Sequence, residues 1–355
     1  MDGQSLLCPN CCNSKLLVGS FMTLNFQRFL PPTLQPKGLM AGEDVIADLH
    51  GWQLQGLRTA LVTLVGVEGG APRQPGAQMA VAEDGQYAGY LSGGCLESAV
   101  VLEAQSVIAS GQNRLMRFGR GSPYFDIKLP CGSGLDLYFD QAMAAADVQA
   151  MTALAAERRV FALRTDLATG LSRVDAIAAG ILIEQSRRDG DVFSRIYAPA
   201  LQLFALGTGP ALAGVATLAA ALGFQLTIVS DDAATCSELA AAGLGVTRIS
   251  DVAGDVLENL DFATAAALFF HDHDQEPRLL QHILKSKCFY VGALGNRGVH
   301  RQRLQTLASL GAAQSELMRI HAPAGSIDGA KSKATLAISV LAQIMAEAKA
   351  LNLIA

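Results

Sequence analysis

Tryptophan occurs once in this 355-residue chain, aromatic residues make up 6% of it and charged residues 17%, with a net charge of −5. That balance, with no basic run carrying interleaved aromatics, argues against a nucleic-acid binder. Charge is missing altogether from Ile196 to Ser230. This run is nevertheless a poor membrane span, because Pro199, Gly207, Gly209, Pro210, Gly214 and Gly223 deny it the ~20 uniformly apolar residues that a crossing helix needs. Seven cysteines, odd in number and scattered without a secretion signal, do not form a disulfide framework; they read as reduced thiols of a cytoplasmic protein.

What is present is glycine, 35 residues of it, and an apolar half of the chain that must be buried. The fold expected is α/β, with an N-terminal mixed α/β domain of Gly/Cys turns and a C-terminal Rossmann-like doubly wound parallel sheet. Residues 1–40 read as a disordered or extra extension; Cys8, Cys11 and Cys12 have the spacing of half a zinc site without its second half. The N-terminal domain spans 41–145, a connecting helix and strands 146–198, and the Rossmann-like domain 199–355. Helices are expected over 43–55, 95–110, 146–158, 300–309 and 334–351, with strands between them that include 160–165 and 181–184.

The stretch that organises the first domain is Tyr90-Leu91-Ser92-Gly93-Gly94-Cys95-Leu96-Glu97, read as a strand, a tight turn and a helix opening on Cys95. Paired glycines expose backbone N–H groups to an anion, and the helix start adds its positive dipole end. A thiol held there is a soft nucleophile or metal ligand; taken alone, Cys95 could equally be a small buried apolar residue. Cys131 sits in a second glycine turn, Pro130-Cys131-Gly132-Ser133-Gly134, at a strand entrance. A third turn, Gly69 to Gly76, carries Arg73, a cation suited to phosphate or carboxylate. Glu97, in the first helical turn, suits the helix dipole and is a weaker candidate for a cofactor contact.

In the second domain Leu201–Leu206 runs into Gly207-Thr208-Gly209-Pro210, a glycine fingerprint between strand and helix. Leu212 stands where a small residue is expected, and Asp231 lies just past the end of the next strand. His271-Asp272-His273-Asp274 follows another strand and could bind a metal or a phosphate. Gly292 and Gly295 belong to a further strand and its glycine turn. Arg301 and Arg303 read as a solvated helix face, and the last helix as packing on the sheet or in a dimer interface.

Together these segments resemble the XdhC/CoxI family, the accessory factors of xanthine dehydrogenase and related molybdenum hydroxylases. The resemblance rests on the Gly69–Gly76 loop, Ser92-Gly93-Gly94-Cys95-Leu96-Glu97, Pro130-Cys131-Gly132, Gly207-x-Gly209, His271-Asp272-His273, Tyr290-Val291-Gly292 and Asp328-Gly329-Ala330-Lys331, in that order. It implies a chaperone that binds the molybdenum cofactor (molybdopterin), assists its sulfuration by a cysteine desulfurase, and inserts it into an apo-molybdenum hydroxylase, with a homodimer expected. Cys131 and Cys95 would carry sulfur or molybdenum, and Arg73, Gly93, Gly94, Glu97 and Gly132 would hold the pterin. Gly207, Gly209, Asp231, His271, Asp272, Gly292 and Gly295 would line the second crevice. Two other readings fit the residues: an NAD(P)-dependent oxidoreductase using that crevice with His271 in proton transfer, and a non-catalytic interaction scaffold.

Overall fold

The computed structural model describes residues 45–122, 132–178, 183–252, 254–270 and 276–354. The 1–40 extension, Cys131, and the His271-Asp272-His273-Asp274 cluster lie outside the described residues. In chain order the elements are α1 (Ile46–Leu54), β1 (Thr59–Glu68), β2 (Gln78–Ala82), β3 (Tyr87–Gly89), α2 (Glu97–Ser110), β4 (Arg114–Gly119), β5 (Gly134–Asp140) and α3 (Ala145–Ala156). They continue with β6 (Phe161–Asp166), β7 (Ser172–Ala176), β8 (Arg187–Asp189), β9 (Val192–Tyr197), β10 (Gln202–Gly207), α4 (Gly209–Leu222), β11 (Gln225–Val229) and α5 (Ala233–Ala241). The last are α6 (Gly254–Glu258), β12 (Thr264–Phe269), α7 (Glu276–Lys285), β13 (Tyr290–Ala293), α8 (Arg297–Ser309), α9 (Gln314–Leu317), β14 (Ile320–His321) and α10 (Lys333–Ala350).

Three sheets form. The first, in the order β3-β2-β1-β5-β4, is antiparallel throughout. Its β-branched central strand β1 sends Ala60, Val62 and Leu64 towards Val100, Ala104 and Val107 of α2. The alternate residue Leu61 joins Leu49 of α1, Met151 of α3 and Phe161 and Tyr197 of the second sheet. That second sheet, β7-β6-β9-β8, is antiparallel. A strand was expected over Ile181–Glu184; Ile183 and Glu184 lie outside any strand, and β9 pairs with β6 and β8.

The third sheet, β11-β10-β12-β13-β14, is parallel throughout. Its strands are apolar because both faces are covered. Leu203 and Ala205 face α4 and α10, while Phe204 and Leu206 face α7 and α8. The uncharged run from Ile196 to Ser230 is thus the buried heart of a doubly wound module, and the strand order changes direction between β10 and β12, where such sheets open a crevice. The last helix packs on this sheet through Val340, Leu341 and Ile344, all 2% exposed or less. No helix among the described residues is long and apolar enough to cross a membrane.

Arg303 departs from the expected solvated face. With Glu276 it forms an ion pair in which both side chains are 2% exposed, its Nη2 donating to the two carboxylate oxygens at 3.0 and 3.2 Å and to the Leu294 carbonyl at 2.5 Å. The pair ties α8 to α7 and to the turn after β13, whereas Arg301 is exposed as expected.

The second sheet anchors the β1–β2 loop at its base. Gly76 has φ +100°, and a Cβ there would stand 2.7 Å from Ser186 Cβ and Oγ and 3.2 Å from Arg195 Cδ. One residue pair further, the Tyr197 hydroxyl donates to Gln78 Oε1 at 2.7 Å, and Gln78 Nε2 donates to Thr63 Oγ1 at 3.0 Å. Gly76→Ala is expected to destabilise the protein by about 1–3 kcal/mol, through backbone strain and the clash together. Urea unfolding checks this, and an unchanged midpoint would show that the second sheet does not hold this loop.

Candidate functional site

Register brings the three glycine turns of the first sheet to one end. Glu68 pairs with Gly134 and Gly119 pairs with the same residue, so β1 ends where β5 begins and β4 ends. Thr63 pairs with Gln78 and Met79 with Gly89, so β2 starts and β3 ends towards the same end of the sheet, opposite the middle of β1. The loop 69–77 therefore runs from the 132–133 turn at the end of β1 back towards the segment 90–96 that follows β3. They also touch: a Cβ on Gly69 would lie 3.6 Å from Ser133 Cα, and Arg73 Nη1 donates to the Tyr90 hydroxyl at 3.0 Å. Below them Arg117 bridges Glu68 and Asp136 and donates to the Arg120 carbonyl at 2.8 Å, fixing the ends of β1, β4 and β5 together.

The segment 90–96 is shaped by one carboxylate. Glu97, 7% exposed, accepts at Oε1 from the Leu91 and Ser92 N–H groups at 3.1 and 2.8 Å, and at Oε2 from the Leu96 N–H at 3.2 Å. The Ser92 hydroxyl donates to the same carboxylate at 2.8 Å and accepts from the Leu96 N–H at 3.1 Å and the Cys95 thiol at 3.5 Å. Burial pushes the Glu97 carboxyl up, but the hydrogen bonds from Ser92 and the neighbouring backbone outweigh it and hold it below its ordinary value. With both carboxylate oxygens turned inward, Glu97 organises the turn, and Gly93, Gly94 and Cys95 are left exposed on the outside.

The helix starts two residues later than expected. Gly94 takes φ +100°, a conformation that L side chains rarely adopt, and Leu96 is the N-cap, so Cys95 lies in the turn and not in the helix. It is exposed rather than buried, which removes the small-apolar-residue reading. A Cβ on Gly93 or Gly94 would meet nothing within 4 Å, and one on Gly132 would meet only the Arg120 guanidinium at 3.6 Å. The arrangement offers unscreened backbone, a sulfur donor and a cation on one sheet end. A metal-bound, anionic pterin fits that donor set.

The candidate residues of the parallel sheet that lie among the described residues are engaged internally. A side chain on Gly207 would run into the backbone of Phe269. The Gly209 N–H, which faces the diphosphate position of such folds, donates to Thr235 Oγ1 at 2.7 Å, and that hydroxyl donates onward to Asp232 Oδ2 at 2.6 Å. The Thr235 hydroxyl and the Thr235 N–H, both donating to Asp232, hold its carboxyl low. Asp231 accepts the Ile249 N–H at 3.0 Å. The space left by Gly292 holds the Tyr290 ring, and that left by Gly295 admits Val299 and Arg303 of α8.

A doubly wound parallel module joined to an antiparallel α/β module, with a glycine turn carrying the exposed Cys95 on the latter, defines a two-module α/β protein. Family comparison agrees. Residues 52–119 match the model of the XdhC and CoxI family, and residues 203–344 that of the XdhC Rossmann domain. The molybdenum cofactor insertion chaperone PaoD of Escherichia coli K12 is 36% identical over 293 residues, covering 82% of this chain and 84% of PaoD. The chain belongs to the XdhC and CoxI family. A second relative in that organism, the uncharacterized protein YqeB, is 25% identical over 154 residues, 43% of this chain and 28% of YqeB. A Bacillus halodurans crystal structure described as a xanthine dehydrogenase superposes with a TM-score of 0.68, covering 86% of this chain and 96% of that one; at 20% identity it establishes the fold.

Glu97→Gln would set an amide nitrogen against the Leu96 or Ser92 N–H, an expected loss of about 1–3 kcal/mol. Because the carboxyl is held below its ordinary value of 4.5, its contribution is present above that pH and fades as pH falls through the lowered value. Hydrogen exchange at Leu96 should be faster in the variant at pH 7, and the stability gap to wild type should shrink under acid. Equal exchange in both proteins would remove Glu97 as the organiser of the turn.

Proposed function

We propose that this chain is an accessory factor for a molybdenum hydroxylase, binding the molybdenum cofactor as cargo at the glycine-turn end of the first sheet and inserting it into the apo-enzyme. The observation that carries this reading is the exposed Gly93–Cys95 turn held from beneath by Glu97, with the Arg73 loop bonded to Tyr90 before it and packed on Ser133. Similarity to PaoD along most of both chains supports it. In this reading Gly93, Gly94 and Gly132 offer close backbone approach, Arg73 meets the cofactor's phosphate, and Cys95 supplies a sulfur for molybdenum. Cys131, on the loop that enters β5, is proposed as the second thiol. Glu97 acts from beneath, by holding the turn.

Further parts of the proposal are sulfuration with a cysteine desulfurase as partner, a client of the xanthine dehydrogenase type, and a homodimer. The oxidoreductase alternative draws no support from the crevice, where the Gly209 amide is bonded to Thr235. The scaffold alternative leaves the exposed Cys95 without a role.

Anaerobic incubation with molybdenum cofactor, followed by gel filtration and quantification of co-eluting molybdenum and pterin, tests the reading. Wild type is expected to retain near-stoichiometric cofactor, and Cys95→Ser and Cys131→Ser to retain several-fold less. Retention unaffected in both variants would eliminate the thiols as ligands, and no retention by folded wild type would overturn the chaperone assignment.

A further inference from the structure

Arg303 is buried inside the second module, yet its ion pair uses only part of the guanidinium. Nη2 alone donates to both Glu276 oxygens and to the Leu294 carbonyl. Nε and Nη1, which between them carry three of the side chain's five N–H groups, have no acceptor among the described residues. Leaving a buried donor unpaired costs more than its hydrogen bond would contribute, and most of all on a charged group. The pair with Glu276 answers the charge of Arg303 but not its donors.

The same side chain lines a cavity of about 350 Å³ between α7 and α8. One wall is the first turn of α7, where the N–H groups of Glu276 and Arg278 have no acceptor within the helix and the dipole end is positive. The other is a face of α8 that carries Val299, Arg303 and Thr306 at helical spacing, with Leu310 at its C-cap. Glu276 matches the charge of Arg303, and the exposed Arg278 adds one positive charge more. The lining therefore calls for a single negative charge. A carboxylate brings one, whereas a phosphate monoester brings nearly two at neutral pH. Pro277, Val299 and Leu310 offer apolar surface to the body of such an acid, and an apolar wall with a few convergent polar groups is the make-up of a small-molecule site.

We propose that this cavity binds the carboxylate of a small organic acid, which accepts from Nε and Nη1 of Arg303 and is balanced in charge by Arg278. None of these residues belongs to the glycine-turn end of the first sheet, so the site stands or falls independently of the cargo reading.

The arginine Nε–H resonances of the isotope-labelled full chain test this, that of Arg303 being identified by its loss in Arg303→Lys, which keeps a cation beside Glu276. Butyrate is the probe, with inorganic phosphate and chloride at matched ionic strength beside it. Butyrate is expected to shift that resonance saturably and to raise the Tm of the chain, as a ligand of the folded state does; phosphate and chloride should do neither. Thr306→Phe, which fills the cavity and leaves the ion pair intact, should abolish saturation. Arg278→Ala should weaken affinity about tenfold, the scale of one charge-assisted contact, and its exposed position spares the fold. A response to butyrate that never saturates, with the Arg303 Nε–H exchanging as in an exposed arginine, would show that water alone fills the cavity. Preference for phosphate would remove the carboxylate assignment, and unchanged affinity in both Thr306→Phe and Arg278→Ala would put the acid elsewhere. Each of these results overturns the proposal.

Discussion

The central place of β1, antiparallel to both β2 and β5, is the constraint on which the chemistry of the first module depends. A strand so placed sends the chain back at the same end on either side. The Arg73 loop leaves from it, the Gly132 turn returns to it, and the segment after β3 closes beside them. Sequence separation between the Gly69 and Gly132 turns is large, yet the pairing of Glu68 with Gly134 brings them together. Both faces of β1 are buried, Leu61 on one side and Val62 and Leu64 on the other, and a slip of one residue would exchange the residues that fill the two cores.

Two kinds of support then act on the exposed groups. Glu97 satisfies inward-pointing amides of its turn, so that glycine and thiol can face out without leaving a buried donor unpaired. The second sheet, which carries none of the candidate ligands, braces the base of the Arg73 loop. Asp140 belongs to the same joint: burial pushes its carboxyl up, and it accepts from Asn113 Nδ2 at 3.0 Å and the Ser172 hydroxyl at 3.3 Å, linking β5 to β7.

The parallel sheet was legible in the sequence because its signals are local: uncharged apolar strands, a glycine turn and a helix following at once. So were the glycine turns themselves. Contacts between distant residues were not. Arg303 reads as one more cation on a polar helix until Glu276, 27 positions earlier, is seen opposite it in the core. Glu97 looks like a dipole-favouring first-turn residue, because its acceptor role needs the chain to double back from Leu91. Cys95 was placed at the head of the helix, where the left-handed Gly94 and the N-cap at Leu96 shift the start to Glu97. Of the connecting strands only β6 matches its expected span; β7 and β9 carry charged and polar residues between their apolar ones, and the three-residue β8 is too short to display an alternation.

The hydroxyl of Thr235 on the Gly209 amide has a thermodynamic corollary. A nucleotide-binding module ordinarily gains stability from its ligand by mass action, so that its folding rises and falls with the ligand's concentration. Here the donor at the head of α4 is satisfied by the chain's own side chain, through Asp232 and Thr235, within a single helical turn of α5. The contribution is present in the bare polypeptide. The start of α4 is thereby held by the chain itself, with no bound nucleotide required to satisfy that donor.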